Sequence, residues 1–217
     1  MSLSLDSHAA RMDRMYRYQR HIYDLTRKYY LFGRDTLIRE LGVPRGGSVL
    51  EVGCGTGRNL DLIARRFPDC RLHGLDISAE MLASAEVKLA KLGSNAPVLR
   101  VADATDFSAR QFGTDGFDRI VISYALSMIP DWEAAIDAAI AALNPGGSLH
   151  IADFGQQERL PRIIGAAMKT WLIRFHVTPR PNLRDVLQER ADRTGARLEF
   201  RALGGGYAWL ATYRPAA

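Results

Sequence analysis

The middle of the chain alternates short apolar runs with longer stretches whose apolar residues recur at helical spacing. The compact apolar runs predict buried strands at 48–52, 71–77, 98–102, 118–123 and 148–154. Helices are expected at 59–66, from Ser78 to Leu92 before Gly93, and at 132–143. The composition of residues 144–147, Asn-Pro-Gly-Gly, predicts a turn.

The end of the chain follows a different pattern. Two strand-like runs, 197–203 and 207–213, are joined by three glycines at 204–206, which predicts a hairpin. Strands alternating with helices imply a parallel sheet covered on both faces. We therefore expect an α/β fold: a doubly wound, mostly parallel, seven-stranded Rossmann-like sheet that ends in an antiparallel hairpin.

The flanks differ in character from this core. Residues 8–41 have a helical pattern interrupted near Gly33. We expect residues 1–45 to form an N-terminal helical cap that contributes to the active site. Residues 46–217 would form the main domain, with a lid insertion at about 156–184.

Charge is unevenly distributed along the 217 residues, whose net charge is +5. Residues 46–155 are net acidic, whereas both flanks are net basic. Basic flanks suggest an anionic partner, either nucleic acid or a membrane surface, although solvated helix faces give the same pattern. The two cysteines, Cys54 and Cys70, are too few for a disulfide framework, and no apolar run is long enough to span a membrane.

A glycine-rich turn follows the first predicted strand. It reads Glu51-Val-Gly53-Cys54-Gly55-Thr-Gly57, a position that places a ligand at the carboxyl end of a sheet. The dinucleotide fingerprint needs another glycine where this chain has Arg58, which argues against a pyrophosphate ligand. A different adenosine-containing ligand is expected here.

Acidic side chains end the next two strands. Asp76 ends the second strand and has the geometry to accept hydrogen bonds from both ribose hydroxyls. Asp103 ends the third and is expected to accept from an exocyclic adenine amine. The remaining candidates at this edge are Ala104 beside the adenine, Ile77 and Met81 over its faces, and Ser123 and Tyr124 on the far side.

These motifs, EVGCGTG, GLDIS, ADATD, FDRIVISYAL and LNPGGSLHIADF, resemble those of the class I S-adenosylmethionine-dependent methyltransferases. The resemblance implies that S-adenosylmethionine is the methyl donor, that S-adenosylhomocysteine is a product, and that no metal is required. It also implies that Gly53, Gly55 and Gly57 contact the methionine portion and that Asp76 binds the ribose. We include Glu51 among the cofactor residues.

The acceptor has to be inferred from the flanks. Tyr16, Tyr23 and Tyr30 share one helix face, and an arginine, among them Arg27, follows each of them by four residues. The tyrosines either pack this helix onto the body or present rings to a methylated ammonium, while arginines suit a carboxylate or phosphate. Our substrate candidates are Tyr16, Tyr23, Arg27, Tyr124 and Tyr207.

A basic amphipathic pattern containing Trp171 and Phe175 lies in the second variable region. Such a helix either lies in a membrane interface or covers the acceptor pocket. No side chain is assigned as a general base, because histidines are more often structural.

The N-terminal stretch HIYDLTRKYYLFGRD resembles the diacylglycerylhomoserine N-methyltransferases of bacterial betaine-lipid synthesis, and is similar also to soluble bacterial phosphatidylethanolamine N-methyltransferases. This implies trimethylation of a lipid amine at an anionic membrane surface, by a cytoplasmic protein placed peripherally on the inner face. An upstream enzyme of head-group synthesis is an expected partner, whereas nucleic acid is not.

The alternatives are O- or C-methylation of a small or quinone acceptor, a catalytically idle relative, and a nucleic-acid-binding module. Strand four ends in Ser123-Tyr124-Ala125-Leu126 and lacks the Asn/Asp-Pro-Pro-Tyr type of motif common in enzymes that methylate nucleic-acid amines. This absence argues against the nucleic-acid module.

Overall fold

A computed structural model describes residues 32–157, residue 159 and residues 178–216. The predicted N-terminal helical cap and the predicted lid insertion fall mostly outside these ranges. The strands are β1 (Ser48–Val52), β2 (Arg71–Asp76), β3 (Val98–Val101), β4 (Phe117–Ser123), β5 (Leu143–Phe154), β6 (Arg197–Leu203) and β7 (Ala208–Arg214). The helices are α1 (Arg34–Glu40), α2 (Arg58–Arg66), α3 (Ala79–Leu89), α4 (Trp132–Ala141) and α5 (Leu183–Thr194), with 3₁₀ turns at Ala90–Asn95, Ala109–Phe112 and Gly204–Gly206.

The strands form one sheet in the order β3-β2-β1-β4-β5-β7-β6. β1 to β5 pair in parallel, and β7 pairs antiparallel with both β5 and β6. The predicted mixed sheet with a final hairpin is therefore confirmed. The strand order reverses between β1 and β4, and ligands bind in the crevice outside the carboxyl ends at such a point.

Apolar layers cover both faces of the sheet. One face packs against α4 and α5, and the other against α1, α2 and α3. Alternation along β4 shows why: Ile120 and Ile122 belong to the first layer, whereas Val121 belongs to the second. Both faces of the central strands are thus apolar, as a parallel sheet covered by helices requires.

Three details differ from the sequence predictions. Residues 144–147, predicted as a turn, fall within the bounds of β5 but have no partner on β4: the pairing jumps from Phe117↔Leu143 to Arg119↔Ser148, and Gly146 has a φ of 75°. Helix α3 ends at Leu89 rather than Leu92 and continues as a 3₁₀ turn, in which Gly93 has a φ of 60°. Helix α5 was not predicted.

Candidate active site at the carboxyl ends of the strands

The glycine turn places backbone next to open space. Gly53, Gly55 and Gly57 have φ values of 69°, 52° and 71°, in the left-handed region that favours glycine. A Cβ on Gly53 would lie 2.7 Å from the Cβ of Ala125, and one on Gly57 would lie 2.6 Å from Leu89 Cδ1. A Cβ on Gly55 would meet nothing within 4 Å. The outer glycines are therefore required by packing, and the middle one lies beside room for a ligand.

Asp76 is tied to this turn. Its Oδ2 accepts a hydrogen bond from the Gly55 N–H at 2.9 Å, and its Oδ1 accepts one from the Ser78 N–H at 3.0 Å. Each carboxylate oxygen can accept a second hydrogen bond. The half-buried carboxylate is thus held by backbone in a position that suits the two hydroxyls of a ribose.

Glu51 is a buried acid with one unpaired oxygen. Its Oε1 accepts a hydrogen bond from Asn59 Nδ2 at 2.7 Å, whereas Oε2 has no partner among the described residues. Burial raises the pKa of Glu51 to about 8, although the Asn59 hydrogen bond and the charge of Arg34 act to lower it. The carboxyl is therefore largely protonated at neutral pH until a cation comes close.

Ser123 supplies a second unpaired polar atom. Its Oγ is buried and has no partner within the described ranges. Val49 and Val121, two residues before Glu51 and Ser123, share one apolar layer, so both polar residues lie on the same face of adjacent strands. Unpaired buried polar atoms at the switch point fit a polar ligand such as the methionine end of S-adenosylmethionine.

The predicted adenine side lies one strand further out. The Ala102 N–H donates to the Asp76 carbonyl at 3.1 Å, which joins the ends of β2 and β3. Asp103 Oδ1 accepts from the Thr105 N–H at 2.9 Å and from Thr105 Oγ1 at 2.8 Å, which fixes the orientation of the carboxylate. Ala104 and Met81 are buried, and Ile77 is half-buried. The structure thus brings the predicted adenosine residues to one edge; their contacts with a cofactor remain predictions.

Aromatic residues gather on the other side of the switch point. Tyr124 has a φ of 56°, and its ring packs edge-on against Phe154 with centroids 4.6 Å apart. Phe154 packs in turn against Tyr207 at 6.1 Å. The Tyr124 hydroxyl donates to the Phe32 carbonyl, and burial raises its pKa well above the usual value, so it stays protonated. We call Tyr124, Phe154 and Tyr207 the aromatic cluster.

Sequence reasoning selected Tyr124 and Tyr207 but missed Phe154 and Phe32. Phe154 looked like one more apolar residue of a buried strand, and no sequence signal distinguished it. Phe32 is 54% exposed. Its ring lies beside the Gly204 turn, because a Cβ on Gly204 would be 3.2 Å from it. The predicted substrate residues Tyr16, Tyr23 and Arg27 lie outside the described residues.

His150 is placed in the core. Its Nε2 lies 2.9 Å from Ser148 Oγ, and burial lowers its pKa to about 3, so the ring is neutral at physiological pH. Among the described residues, no group of three His, Cys, Asp or Glu side chains is arranged to hold a metal ion. The described helices also include none with the length and apolar character needed to cross a membrane.

Comparison with known proteins agrees with this site. Residues 49–147 match the family described as a methyltransferase domain. The chain is 35% identical over 136 residues to a phosphatidylethanolamine N-methyltransferase of Cereibacter sphaeroides, covering 62% of each protein. It is 35% identical over 115 residues to a trans-aconitate 2-methyltransferase of Variovorax paradoxus, and 28% identical over 130 residues to a ubiquinone/menaquinone C-methyltransferase of Desulfotalea psychrophila. These matches cover 53% and 58% of this chain.

The matches span less than two thirds of each relative: 62% of the first, 41% of the second and 50% of the third. Among solved structures, a DhpI–SAM–HEP complex superposes with a TM-score of 0.67 at 22% identity, over 99% of this chain and all of the other. A SAM-dependent methyltransferase from Aquifex aeolicus gives 0.64 at 17% identity, over 88% and 93%. Residues 49–147 thus match a methyltransferase domain, and the mixed sheet and the crevice built by Gly55, Asp76 and Glu51 agree with the fold of class I S-adenosylmethionine-dependent methyltransferases.

Proposed function

We propose that the protein methylates the amine of a lipid head group at an anionic membrane surface, in successive steps that end in a quaternary ammonium. Diacylglycerylhomoserine is the proposed acceptor, with phosphatidylethanolamine as the nearest alternative. The observation that carries the proposal is the aromatic cluster at the ends of β4 and β5, because aromatic faces attract a methylated ammonium. The similarity to a phosphatidylethanolamine N-methyltransferase supports it.

The chemistry requires alignment more than acid–base catalysis. S-adenosylmethionine, when bound, supplies an activated methyl group for an in-line displacement. The protein has to hold the acceptor nitrogen opposite the departing sulfur and keep that nitrogen neutral. Apolar surroundings such as Phe154 favour the neutral amine, because burial lowers the pKa of an ammonium. Each of the first two transfers leaves an ammonium that must lose a proton to solvent before the next one, whereas the quaternary product has no lone pair, which ends the series.

The surface around the site suits a lipid. Phe32, an exposed aromatic residue, lies beside the Gly204 turn at the same edge as the aromatic cluster. The chain also has basic flanks on either side of an acidic core. Apolar contact combined with positive charge favours peripheral binding to anionic lipid.

The test is transfer of labelled methyl groups from S-adenosylmethionine to defined vesicles. Three preparations of phosphatidylglycerol vesicles would be compared: one with diacylglycerylhomoserine, one with phosphatidylethanolamine and one without an amine lipid. Mass spectrometry would count the methyl groups added to each lipid. We expect label only in the amine lipids, with up to three methyls. Label in soluble trans-aconitate or in a quinone, with none in lipid, would instead establish a small-molecule acceptor, as the other two relatives suggest.

Paired substitutions at Tyr207 sharpen this test. Tyr207→Leu removes the ring that packs on Phe154, whereas Tyr207→Phe keeps it. We expect Tyr207→Leu to raise the KM for lipid about three- to tenfold, from the loss of a cation–π contact of roughly 1 kcal/mol. Tyr207→Phe should stay near wild type, and the affinity for S-adenosylhomocysteine should not change in either variant.

A further inference from the structure

The loop between β4 and α4, residues 124–131, contacts the cofactor turn directly. The Cβ of Ala125 occupies the space that a side chain on Gly53 would need, at 2.7 Å. The Tyr124 N–H donates to the Ala152 carbonyl at 2.7 Å, and the Ala125 carbonyl accepts from Met128 and Ile129 N–H groups at 2.9 and 3.2 Å. A change in the conformation of this loop would therefore alter the packing of the glycine turn.

One peptide unit of the loop is held at both ends by charged side chains. The Ser127 N–H donates to Asp153 Oδ2 at 3.2 Å, while the carbonyl of the same amide, that of Leu126, accepts from Arg180 Nε at 3.1 Å. A second Arg180 nitrogen donates to the Ile129 carbonyl at 2.6 Å, and the guanidinium lies 5.8 Å from the Trp132 ring centroid. The two charges thus fix which way this peptide unit points.

Burial of the Asp153 carboxylate has a desolvation cost. It is 2% exposed, and its Oδ1 accepts the Phe154 N–H at 2.7 Å. None of the ion pairs within the described ranges includes Asp153, so Arg180 and Asp153 interact by charge across the peptide unit that both of them bond. A buried carboxylate held in this way contributes little to stability, because its desolvation offsets its interactions.

We propose that Asp153 and Arg180 form a positioning pair, which holds the β4–α4 loop against the glycine turn and so keeps the cofactor crevice in its binding shape. The pair acts through the loop backbone and not by contact with substrate. The proposal goes beyond the acceptor assigned above, because it concerns the cofactor side and holds for any acceptor.

The pair also gives the loop a dependence on pH. Burial raises the pKa of Asp153 to about 6, while the charge of Arg180 acts to lower it, and Tyr124 is the other titratable group that it influences. The folded-state value lies above the usual 3.8, so protonation as pH falls from 6 to 4 favours the folded state. The same protonation weakens the acceptor of the Ser127 N–H. Loop order and global stability therefore move in opposite directions below pH 6.

The test uses Asp153→Asn, Arg180→Gln and the double variant. Asp185→Asn and Arg184→Gln are matched controls, since both residues are exposed on the first turn of α5. Amide exchange at Ser127, followed by NMR, and calorimetric affinity for S-adenosylhomocysteine are the two readouts. Neither needs an acceptor, so failure of lipid methylation would leave this test intact.

We expect each single variant to speed Ser127 exchange about tenfold, equivalent to roughly 1.4 kcal/mol, and to weaken S-adenosylhomocysteine binding about three- to tenfold. The double variant should add little to either single variant, and Arg180→Lys should restore part of the loss. Wild-type affinity should fall more steeply below pH 6 than that of Asp153→Asn, because the contribution of Glu51 is common to both and only the wild type loses the Asp153 carboxylate.

Unchanged exchange and affinity, or fully additive effects, would overturn the proposal. If Asp153→Asn fails to fold, the exchange and affinity of Arg180→Gln, together with the wild-type pH series, test the proposal. Arg180 is half-buried, so substituting it should disturb folding less than substituting the buried Asp153.

Discussion

The carboxyl edge of the sheet has two halves that are built differently. The cofactor half, at the ends of β1, β2 and β3, consists mainly of backbone: a short glycine turn, and an Asp76 carboxylate fixed by two N–H groups. The proposed acceptor half, at the ends of β4 and β5 beside β7, is assembled from side chains distant in sequence. Tyr124 bonds to Phe32, 92 residues away, and its ring packs against Phe154.

This difference explains how one domain type serves unlike acceptors. A backbone turn tolerates few substitutions, because a side chain at Gly53 or Gly57 would collide with Ala125 or Leu89. The acceptor half depends on side chains from several elements, and those outside the β4–α4 loop and the Asp153–Arg180 pair can change without disturbing the turn. The three relatives, whose names give a lipid, a carboxylic acid and a quinone as acceptors, fit this division.

Removing the Asp76 carboxylate should give the largest effect on cofactor binding. Asp76→Ala removes the predicted ribose acceptor and also frees the Gly55 N–H. We expect S-adenosylhomocysteine affinity to fall on the order of 100-fold, about 2.7 kcal/mol, as charge-assisted hydrogen bonds are lost. Asp69→Ala, at an exposed ion pair with Arg45, is the control and should bind normally. Equal affinities for the two variants in calorimetry would remove Asp76 from the cofactor site.

The open space at Gly55 can be tested with a matched glycine. Gly55 and Gly46 have φ values of 52° and 69°, and a Cβ on either would meet nothing within 4 Å. Alanine at either position should cost a similar 1–2 kcal/mol of stability, from left-handed strain. Only Gly55→Ala should also weaken S-adenosylhomocysteine binding, by about tenfold or more. Similar binding by both variants would show that no ligand approaches Gly55.

Glu51 should make cofactor binding release a proton. Its pKa of about 8 leaves the free carboxyl largely protonated at pH 7, and a cation bound beside it would lower that pKa. Calorimetry in buffers of different ionisation enthalpy should detect roughly half a proton or more released at pH 7, and Glu51→Gln should abolish it. Identical proton release in the variant would place the cation elsewhere.

The same raised pKa fixes a pH dependence of stability. The folded-state value exceeds the usual 4.5, so the wild type loses stability as pH rises from 4.5 to 8, by on the order of 4 kcal/mol from this group. Glu51→Gln has no titrating carboxyl at this position, so its stability should not fall for this reason as pH rises. Urea unfolding at pH 5 and pH 8 measures the difference, which should favour the variant at the higher pH.

The smallest effect should come from one hydroxyl of the acceptor half. Tyr124→Phe loses the hydrogen bond to the Phe32 carbonyl and should cost about 1 kcal/mol of stability. Tyr213→Phe is its match, because it loses a partly buried hydrogen bond to Thr194 Oγ1, on the far strand pair of the sheet. Only Tyr124→Phe should reduce methyl transfer, with S-adenosylhomocysteine affinity unchanged in both. A lowered affinity in Tyr124→Phe would show that the halves are not separable.

Much of the fold could be predicted from periodicity, because strands and helices here are encoded by local apolar patterns. The irregularity at 144–147 could not, since Asn-Pro-Gly-Gly has the composition of a turn and only the pairing of Leu143 and Ser148 with β4 on either side places it within a strand. Helix α5 lies in a polar stretch and buries Leu183, Val186 and Leu187 on one side. The helix could be placed only once the face of the sheet that it covers was known.

The site divides in the same way. The cofactor half was predictable because Gly53, Gly55 and Gly57 are adjacent and Asp76 ends a recognisable strand. Phe154 and Arg180 were not, because their roles depend on contacts with Tyr124 and Leu126 that exist only after folding. Local motifs therefore predict where the methyl donor binds, whereas the residues of the loop and of the acceptor side become evident only in the folded chain.

A crystal structure of the complex with S-adenosylhomocysteine tests the central claim most directly. We expect the ribose hydroxyls within hydrogen-bond distance of Asp76, backbone of Gly55 against the ligand, and its amino group near Glu51 Oε2. Ligand density at any other edge of the sheet, or Asp76 turned away from the sugar, would contradict the account.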